Sequence, residues 1–332
     1  MRLSVIIINY KTGQLVLDCL SSLYKFDTTD TEIFVVDNNS NDGIEALLRE
    51  NYPSVIFIQT GYNAGFSRAN NAAIRKASGE HILLLNSDTV NLDDAANKCS
   101  DILGRTEYAA AGVQLLNADG TPQISGNFAM RGGLNYLLPL PYVGSIIKRI
   151  AGLFKIKKAH VPEATGITKV DWINGAFLMV KKNIIERAGL MDEDFFLYAE
   201  EAEWCHRLRK FGPLCIAGDL HVLHLQGESA GTAFDSETKG YHNLFDKKGL
   251  QIMLSNFLRI RKEFGAGWFL FQLVVYYLTA PFFFLCTCAS LLFSRKPLYR
   301  LADVKGFFIN LGKMLKYIPK ILFKRPFFYK VL

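Results

Sequence analysis

The chain has 332 residues, 50% of them hydrophobic and 21% charged, which is ample material for one large domain or two ordinary ones and excludes a disordered chain. Its formal net charge is +7, yet residues 295–332 alone hold ten Lys and Arg against one Asp, a balance of +9, so residues 1–294 sum to −2. The basic character belongs to a tail, which argues against nucleic acid as a partner. Six cysteines are scattered without a CxxC pair, and the start MRLSVIIINY lacks the charged region and cleavage site of a signal peptide. A reduced, cytosol-facing catalytic domain is the expectation. No repeat of solenoid period and no low-complexity run is present.

Taken in chain order, short apolar runs at 3–8, 32–36, 55–58, 81–85 and 109–115 predict strands, with helical patterns between them. This alternation is the sequence form of βαβ units on a mostly parallel sheet, and the near-continuous Val, Ile and Leu suit burial on both faces. Three strands run into polar residues: Asn9-Tyr10, Asp37-Asn38-Asn39-Ser40 and Asn86-Ser87-Asp88. Ligands of open α/β sheets bind outside the carboxyl ends of strands, so these three ends should share one crevice. Residues 121–169, with Pro122, Pro139, Pro141 and Pro162, read as an irregular insertion. Beyond it the pattern predicts a strand at 172–180, a helix at 199–211, short strands at 214–217 and 221–225, and a helix at 235–264. Residues 265–294 carry no formal charge, and the basic tail follows.

Several residues in this frame are candidates for chemistry. Asp37 could accept hydrogen bonds from a base or ribose, or it and its neighbours to Asp42 could cap the next helix. No G-x-G-x-x-G follows the first strand, which disfavours a dinucleotide site. Asp88 stands at a strand end where one carboxylate suffices to help hold a divalent cation on a diphosphate, although Ser87 or Asp88 could instead start a helix. Glu200, Glu201 and Glu203 open a helix, where acidic groups favour the helix dipole. The preceding Asp194-Phe195-Phe196-Leu197-Tyr198 would partly desolvate one of them, and such a glutamate can serve as a general base. His221 and His224 lie on one short strand ahead of a glycine turn, which raises the chance that one points into a site.

In order, Ser4–Tyr10, Val35-Val36-Asp37-Asn38-Asn39-Ser40, Asn63-Ala64-Gly65-Phe66-Ser67-Arg68-Ala69-Asn70-Asn71 and Leu85-Asn86-Ser87-Asp88 resemble the family 2 glycosyltransferases, especially their rhamnosyltransferase-like branch. The likeness continues through Trp172-Ile173-Asn174-Gly175-Ala176-Phe177, Phe195–Glu201, Cys205-His206-Arg207-Leu208 and His224 with Gly227 and Ser229, covering about residues 1–264. It implies a GT-A nucleotide-sugar-binding fold in which Asn9, Asp37, Asn39, Asn63, Gly65, Arg68, Asn86 and Asp88 serve the nucleotide sugar. Asp37 would hold the base, and Asp88 with His224 a divalent metal, Mg²⁺ or Mn²⁺. The family's Asp-Xaa-Asp is here Asn-Ser-Asp, and its Glu-Asp is Glu200-Glu201. Glu201 takes the Asp position and is the expected base, with Glu200 beside it. Trp172, Asn174 and Gly175 would line the donor-sugar or acceptor side.

The reaction expected from the resemblance is an inverting transfer of a sugar, rhamnose or another deoxyhexose among the candidates, onto a glycan or polyprenyl-linked acceptor. Cell wall polysaccharide or O-antigen synthesis is the setting that branch implies. Rival readings are a nucleotidylyltransferase or nucleotide-sugar hydrolase on a similar sheet, and a catalytically dead membrane-tethered binding protein. The expected organisation is a catalytic domain at 1–240 with the acceptor-side insertion 121–169 inside it, a connecting helix at 241–264, and a membrane-associating hydrophobic segment and basic tail at 265–332. Residues 265–294 are long enough to span a bilayer, but Pro281 divides them and positive charge flanks both ends. An interfacial or re-entrant lodging is therefore expected, at the cytoplasmic face of the inner membrane. Val143, Ile146, Ile147, Ile150, Leu153 and Phe154 fall on one helical face of the insertion, which would rest on lipid or pack in a core.

Overall fold

A computed structural model describes residues 2–154, 160–225, 243–294 and 296–331. The elements begin as β1 (Leu3–Asn9), α1 (Gly13–Leu23), β2 (Thr31–Asp37), α2 (Ile44–Asn51), β3 (Ile56–Gln59), α3 (Gly65–Ile74), β4 (His81–Asn86), β5 (Thr89–Asn91), α4 (Ala95–Gly104), β6 (Ala110–Leu116) and β7 (Gly126–Asn127). There follow α5 (Val143–Leu153), β8 (His160–Val161), β9 (Ile167–Val170), β10 (Trp172–Ile173), β11 (Phe177–Lys181), α6 (Lys182–Ala188), α7 (Glu200–Leu208) and β12 (Leu214–His224). The last helices are α8 (Lys247–Phe264), α9 (Ala266–Phe293), α10 (Leu301–Met314) and α11 (Ile318–Leu322). The chain divides into two compact units. One comprises Met1–Ala129, Ala159–Phe196 and Glu200–Ala233; the other comprises Met130–Lys158, Leu197–Ala199 and Phe234–Leu332.

In the first unit the described residues build a nine-stranded sheet of order β3-β2-β1-β4-β11-β6-β12-β5, with β9 also on β12. The β3-β2-β1-β4 half is parallel, β6 and β12 pair in parallel, and β11, β5 and β9 run antiparallel to their neighbours. Alternate side chains of β1 feed opposite faces, as strand geometry requires. Val5 and Ile7 pack with Val16 and Leu20 of α1 and Cys99 and Leu103 of α4. Ile6 packs with Ala69 and Ala73 of α3 and Trp204 and Leu208 of α7. Both faces are covered, so each such aliphatic side chain contributes roughly 1.5–3 kcal/mol by its burial. Register then fixes the site: Asn9 lies opposite Asp37, and Ile8 opposite Asn86, so the three polar strand ends emerge at one edge.

Two predicted strands differ in form. The run at 172–180 is broken because Asn174 turns the chain: its Oδ1 accepts from Ala176 N at 3.0 Å, and its own N donates to Ser125 O. Trp172–Ile173 therefore pairs with Gly126–Asn127 in a small separate sheet, while Phe177–Lys181 joins the main one. Conversely, 214–217 and 221–225 are one strand, β12, interrupted by a bulge between Ala217 and His221. Gly218 permits the bulge, since a Cβ there would lie 2.3 Å from Ala164 O. Of the helix expected at 235–264, the described part is α8, with Asp246 as its cap, accepting from Gly249 N at 2.7 Å; residues 235–242 lie outside the described set.

The second unit is helical. Residues 266–293 form one helix through Pro281, with Gln272, Tyr276, Thr279 and Phe283 on its buried face. Gln272 donates to Gly132 O, and Tyr276 Oη to Tyr136 O at 2.8 Å. Phe283 meets Phe245, Tyr299 and Phe307 in an aromatic cluster. Asn310 of α10 donates to Leu244 O and Asp246 O, both at 2.8 Å, fastening α10 to the entry of α8.

Candidate active site

Asn9 organises the ends of β1 and β2. Its Nδ2 donates to Asp37 Oδ1 at 2.8 Å and also faces Ser40 Oγ and Asp42 Oδ2 at 3.0 Å. Its Oδ1 accepts from the amide and hydroxyl of Thr12, both at 3.1 Å. Asp37 is buried, and it further accepts from Gln59 Nε2 at 2.8 Å and Ser40 N at 3.1 Å. It caps no helix; α2 is entered through Asp42, whose Oδ1 accepts from Ile44 N. Asn38, which sequence reasoning passed over, ties the next loop to β2: its Nδ2 donates to Gly65 O at 3.1 Å, and its Oδ1 accepts from Ala64 N at 3.3 Å. Asn39 beside it is exposed, in the left-handed region at φ 60°.

The loop entering α3 holds the other expected donor residues. Asn63 Oδ1 accepts from Gly65 N at 3.1 Å. Gly65 has φ +71°, and a Cβ there would stand 2.3 Å from Phe196 O, the same carbonyl that accepts from Phe66 N at 2.8 Å. Only glycine fits that approach. Arg68 Nε donates to Glu193 O at 3.0 Å, and the Asn71 side chain exchanges bonds with Met191 O and N. Together these fasten α3 to residues 191–196, the aromatic approach to α7.

Asp88 and His224 meet because β5 and β12 pair antiparallel, with Thr89 opposite His224, and Leu225 N donates to Asp88 O at 2.9 Å. His224 Nε2 lies 3.5 Å from Asp88 Oδ1, both side chains being buried. That Asp88 oxygen has no hydrogen-bond partner among the described residues. Burying an unmatched carboxylate oxygen is costly, and a bound cation would satisfy it. Asp88 is not a helix cap: Asn91 Oδ1 takes the amide of Ala96 in α4. Thr12 Oγ1 and Ser87 Oγ, 3.1 Å apart, link the Asn9–Asp37 cluster to the Asp88 turn. Asn86 N donates to Ala176 O at 3.0 Å, bringing the 172–176 segment to the end of β4. His221 is elsewhere, paired with Asp93 at 2.8 Å at the surface.

At the start of α7, Glu200 is buried and Glu201 is half-buried. A Cβ on Gly175 would lie 3.5 Å from Glu201 Cγ and 3.8 Å from Phe66 Cζ, so Gly175, Glu201 and Phe66 are neighbours. Glu203 is committed to Arg207 by a two-pronged pair at 2.8 Å. Tyr198 and Ala199, at φ 74° and 65°, make the sharp entry to the helix. Trp172 Nε1 is buried without a partner among the described residues. The cysteines are free, and burial pushes the Cys19 and Cys215 thiols up to about 12, which keeps them protonated and inert.

Among the described residues no group of three or more His, Cys, Asp or Glu side chains is placed to hold a metal. A hard divalent cation on a nucleotide needs only one or two protein ligands beside phosphate oxygens and water, so the pair Asp88 and His224 fits that chemistry.

A sheet of this order with polar strand ends gathered at one edge is an open α/β architecture whose ligand edge lies at the carboxyl ends of its strands. In fold the chain is similar to Staphylococcus aureus TarS 1–349 in complex with UDP-GlcNAc, at a TM-score of 0.52 and 16% identity over 97% of this chain and 83% of that one. Residues 4–131 match the model of Glycosyl transferase family 2. It is 28% identical to the low-salt glycan biosynthesis hexosyltransferase Agl10 of Haloferax volcanii over 63% of this chain, spanning 62% of that protein's length. It is 25% identical to the N-acetylglucosaminyl-diphospho-decaprenol L-rhamnosyltransferase of Mycobacterium tuberculosis over 72% of this chain and 81% of that one.

Proposed function

We propose that this chain transfers a hexose or deoxyhexose, rhamnose first among the candidates, from a nucleotide-sugar donor to a glycan or polyprenyl-linked acceptor. The observation that carries the reading is the buried Asp88 oxygen, unmatched among the described residues beside His224, at the strand ends where Asn9 and Asp37 also gather. Asp37, anchored by Asn9, Gln59 and Ser40, is held rigid with acceptor capacity left for a base or ribose. Asp88 and His224 are the residues that would hold Mg²⁺ or Mn²⁺. Such an ion, when bound, supplies positive charge for the departing diphosphate. Glu201, half-buried beside Gly175, takes the proton from the acceptor hydroxyl as that oxygen attacks the sugar carbon. A single displacement inverts the configuration there. Trp172, Asn174 and Gly175 border the sugar, and Gly65 and Arg68 hold the donor-side loop.

The reading extends to the membrane. Ile146, Ile150, Leu153 and Phe154 of α5 and its end are exposed, as are Leu278, Leu285 and Leu292 of α9. An apolar face of that kind favours a lipid surface over core packing. On and after α10, exposed Phe308, Ile309, Leu315 and Phe323 alternate with exposed Lys305, Lys313, Lys316 and Lys324, a pattern suited to anionic headgroups. α9 is long and apolar enough to cross a bilayer, but α10 packs along it, and a crossing would draw Asp303, Lys305 and Lys313 into hydrocarbon. An in-plane seat at the cytoplasmic face avoids that cost and suits a lipid-linked acceptor of cell-surface polysaccharide synthesis.

The test is a panel of nucleotide sugars offered to the purified chain with short lipid-linked glycans. The reading predicts a new glycosidic bond of inverted anomeric configuration from one donor class. Donor breakdown that ignores the acceptor would make the chain a hydrolase, a nucleotide-sugar product would make it a nucleotidylyltransferase, and no donor consumption at all would make it a binding protein.

A further inference from the structure

His224 owes its orientation to a residue outside every motif. Gln123 is reached because β6 turns back on itself after Leu116: Gly120 takes φ +80° in the turn, Asn117 N donates to Thr121 O at 2.8 Å, and Gln123 N donates to Leu115 O at 2.8 Å. β6 lies parallel to β12 with Leu116 opposite Leu223, so the returning Gln123 arrives beside His224. Its carbonyl is held in turn by Gln114 Nε2 at 2.9 Å. Buried, Gln123 meets His224 twice: Nε2 donates to His224 O at 2.6 Å, and Oε1 stands 2.9 Å from His224 Nδ1.

We propose that Gln123 is a positioning residue that fixes His224 in the Nδ1–H tautomer, turning a bare Nε2 toward Asp88, and that the direction of the bonds is set from Asp119. The chain can be read from its acidic end. A carboxylate only accepts, so the Thr121 hydroxyl, 2.6 Å from Asp119 Oδ1, donates to it. Thr121 Oγ1 must then accept from Asn117 Nδ2 at 2.8 Å, which leaves Asn117 Oδ1 as the acceptor for Gln123 Nε2, also at 2.8 Å. The carbonyl oxygens of His224 and Leu116 face the same amide nitrogen, so a flipped Gln123 would set oxygen against three acceptors. Gln123 Oε1 is therefore the acceptor for His224, and Nδ1 carries the proton. Without that anchor, an Nε2–H form would gain Asp88 Oδ1, 3.5 Å away, as its own acceptor and would close the lone pair that a cation needs. Bonds of this sort to the remote ring nitrogen are how proteins orient ligating histidines.

The proposal rests on the reading of Asp88 and His224 as a cation site, and the test separates the two. Full-length protein labelled with ¹⁵N-histidine, free of metal, is observed at pH 8 by long-range ¹H–¹⁵N correlation, with the His224 signals assigned by their loss in His224→Asn. The expected wild-type pattern is Nδ1 protonated and Nε2 bare; an Nε2–H pattern overturns the proposal even if Gln123→Met does not fold. In Gln123→Met the pattern should move to Nε2–H and the Mn²⁺ dissociation constant should rise about 10-fold or more, the usual cost of losing such a partner. A wild-type pattern retained in Gln123→Met overturns the proposal too. The expected tautomers with no Mn²⁺ bound by either protein would uphold the positioning role and sink the cation reading.

Discussion

The strand-end crevice of the first unit buries polar side chains, whereas the helices of the second unit expose apolar ones. In the crevice, Asn9, Asp37 and Asn38 are buried and each is matched by several partners, so a polar cluster persists at the end of an apolar sheet. Asp88 departs from that pattern, with one buried oxygen unmatched among the described residues. In the second unit Leu153, Phe154, Leu278 and Leu292 face outward at half exposure or more. Under the proposed function the first inversion serves donor recognition and the second a lipid surface. They should therefore be separable: damage to one region alters turnover or donor binding, and damage to the other alters where the protein resides.

The largest effect should come from the proposed base, Glu201. Glu201→Gln should lower turnover at least ~10²-fold with donor affinity nearly unchanged, as for loss of a proton acceptor alone. If Glu201→Gln stays active and Glu200→Gln is dead, the role moves to the buried neighbour. Next is Gly65→Ala, where a side chain at φ +71° is pressed onto Phe196 O. It should destabilise by roughly 1–3 kcal/mol and weaken donor binding by displacing the loop, measured by denaturant melts and calorimetry. Wild-type values for both would show that the approach to Phe196 is not needed.

A smaller effect is expected at the lipid surface. Replacing exposed Leu153 and Phe154 with Ser should reduce binding to anionic vesicles in flotation assays while turnover on a short soluble acceptor is unchanged. Equal loss of both would break the separation of the two regions. The smallest effect belongs to His81, which reports on the first unit alone. Burial, with Lys181 nearby, pushes its imidazole below the ordinary value of 6.5, and Nδ1 pairs with Ser100 Oγ at 2.8 Å. The unfolded chain then takes up this proton more readily, so the contribution to stability is intact above pH 6.5 and is lost as pH falls through the folded value. Wild type should lose stability relative to His81→Gln between pH 7 and about pH 5 in melts; parallel curves would contradict the assignment.

The parallel half of the sheet was legible because β1, β2 and β4 are continuous aliphatic runs closed by polar residues, and burial on both faces demands that composition. The gathering of those polar ends at one edge followed from the parallel register. What the sequence did not disclose depended on contacts distant along the chain. The break in 172–180 comes from the Asn174 side chain, and the fusion of 214–224 from a bulge against Ala164; neither has a periodic signal. Gln123 lay in a stretch read as irregular, 101 residues from the histidine it holds. The second unit was legible as apolar and basic by composition, but the packing of α9 against α10 rests on Phe283 against Phe307 and on Tyr277 Oη donating to Leu311 O, residues that look like ordinary helix residues.

The most direct test of the account is the metal dependence of donor binding. Calorimetric titration of the nucleotide sugar should show binding to wild type that depends on Mg²⁺ or Mn²⁺, with Asp88→Ala and His224→Ala each raising the metal requirement at least ~10-fold and weakening donor affinity together. Donor binding and turnover that survive EDTA undiminished, or that remain at wild-type levels in both variants, would contradict it.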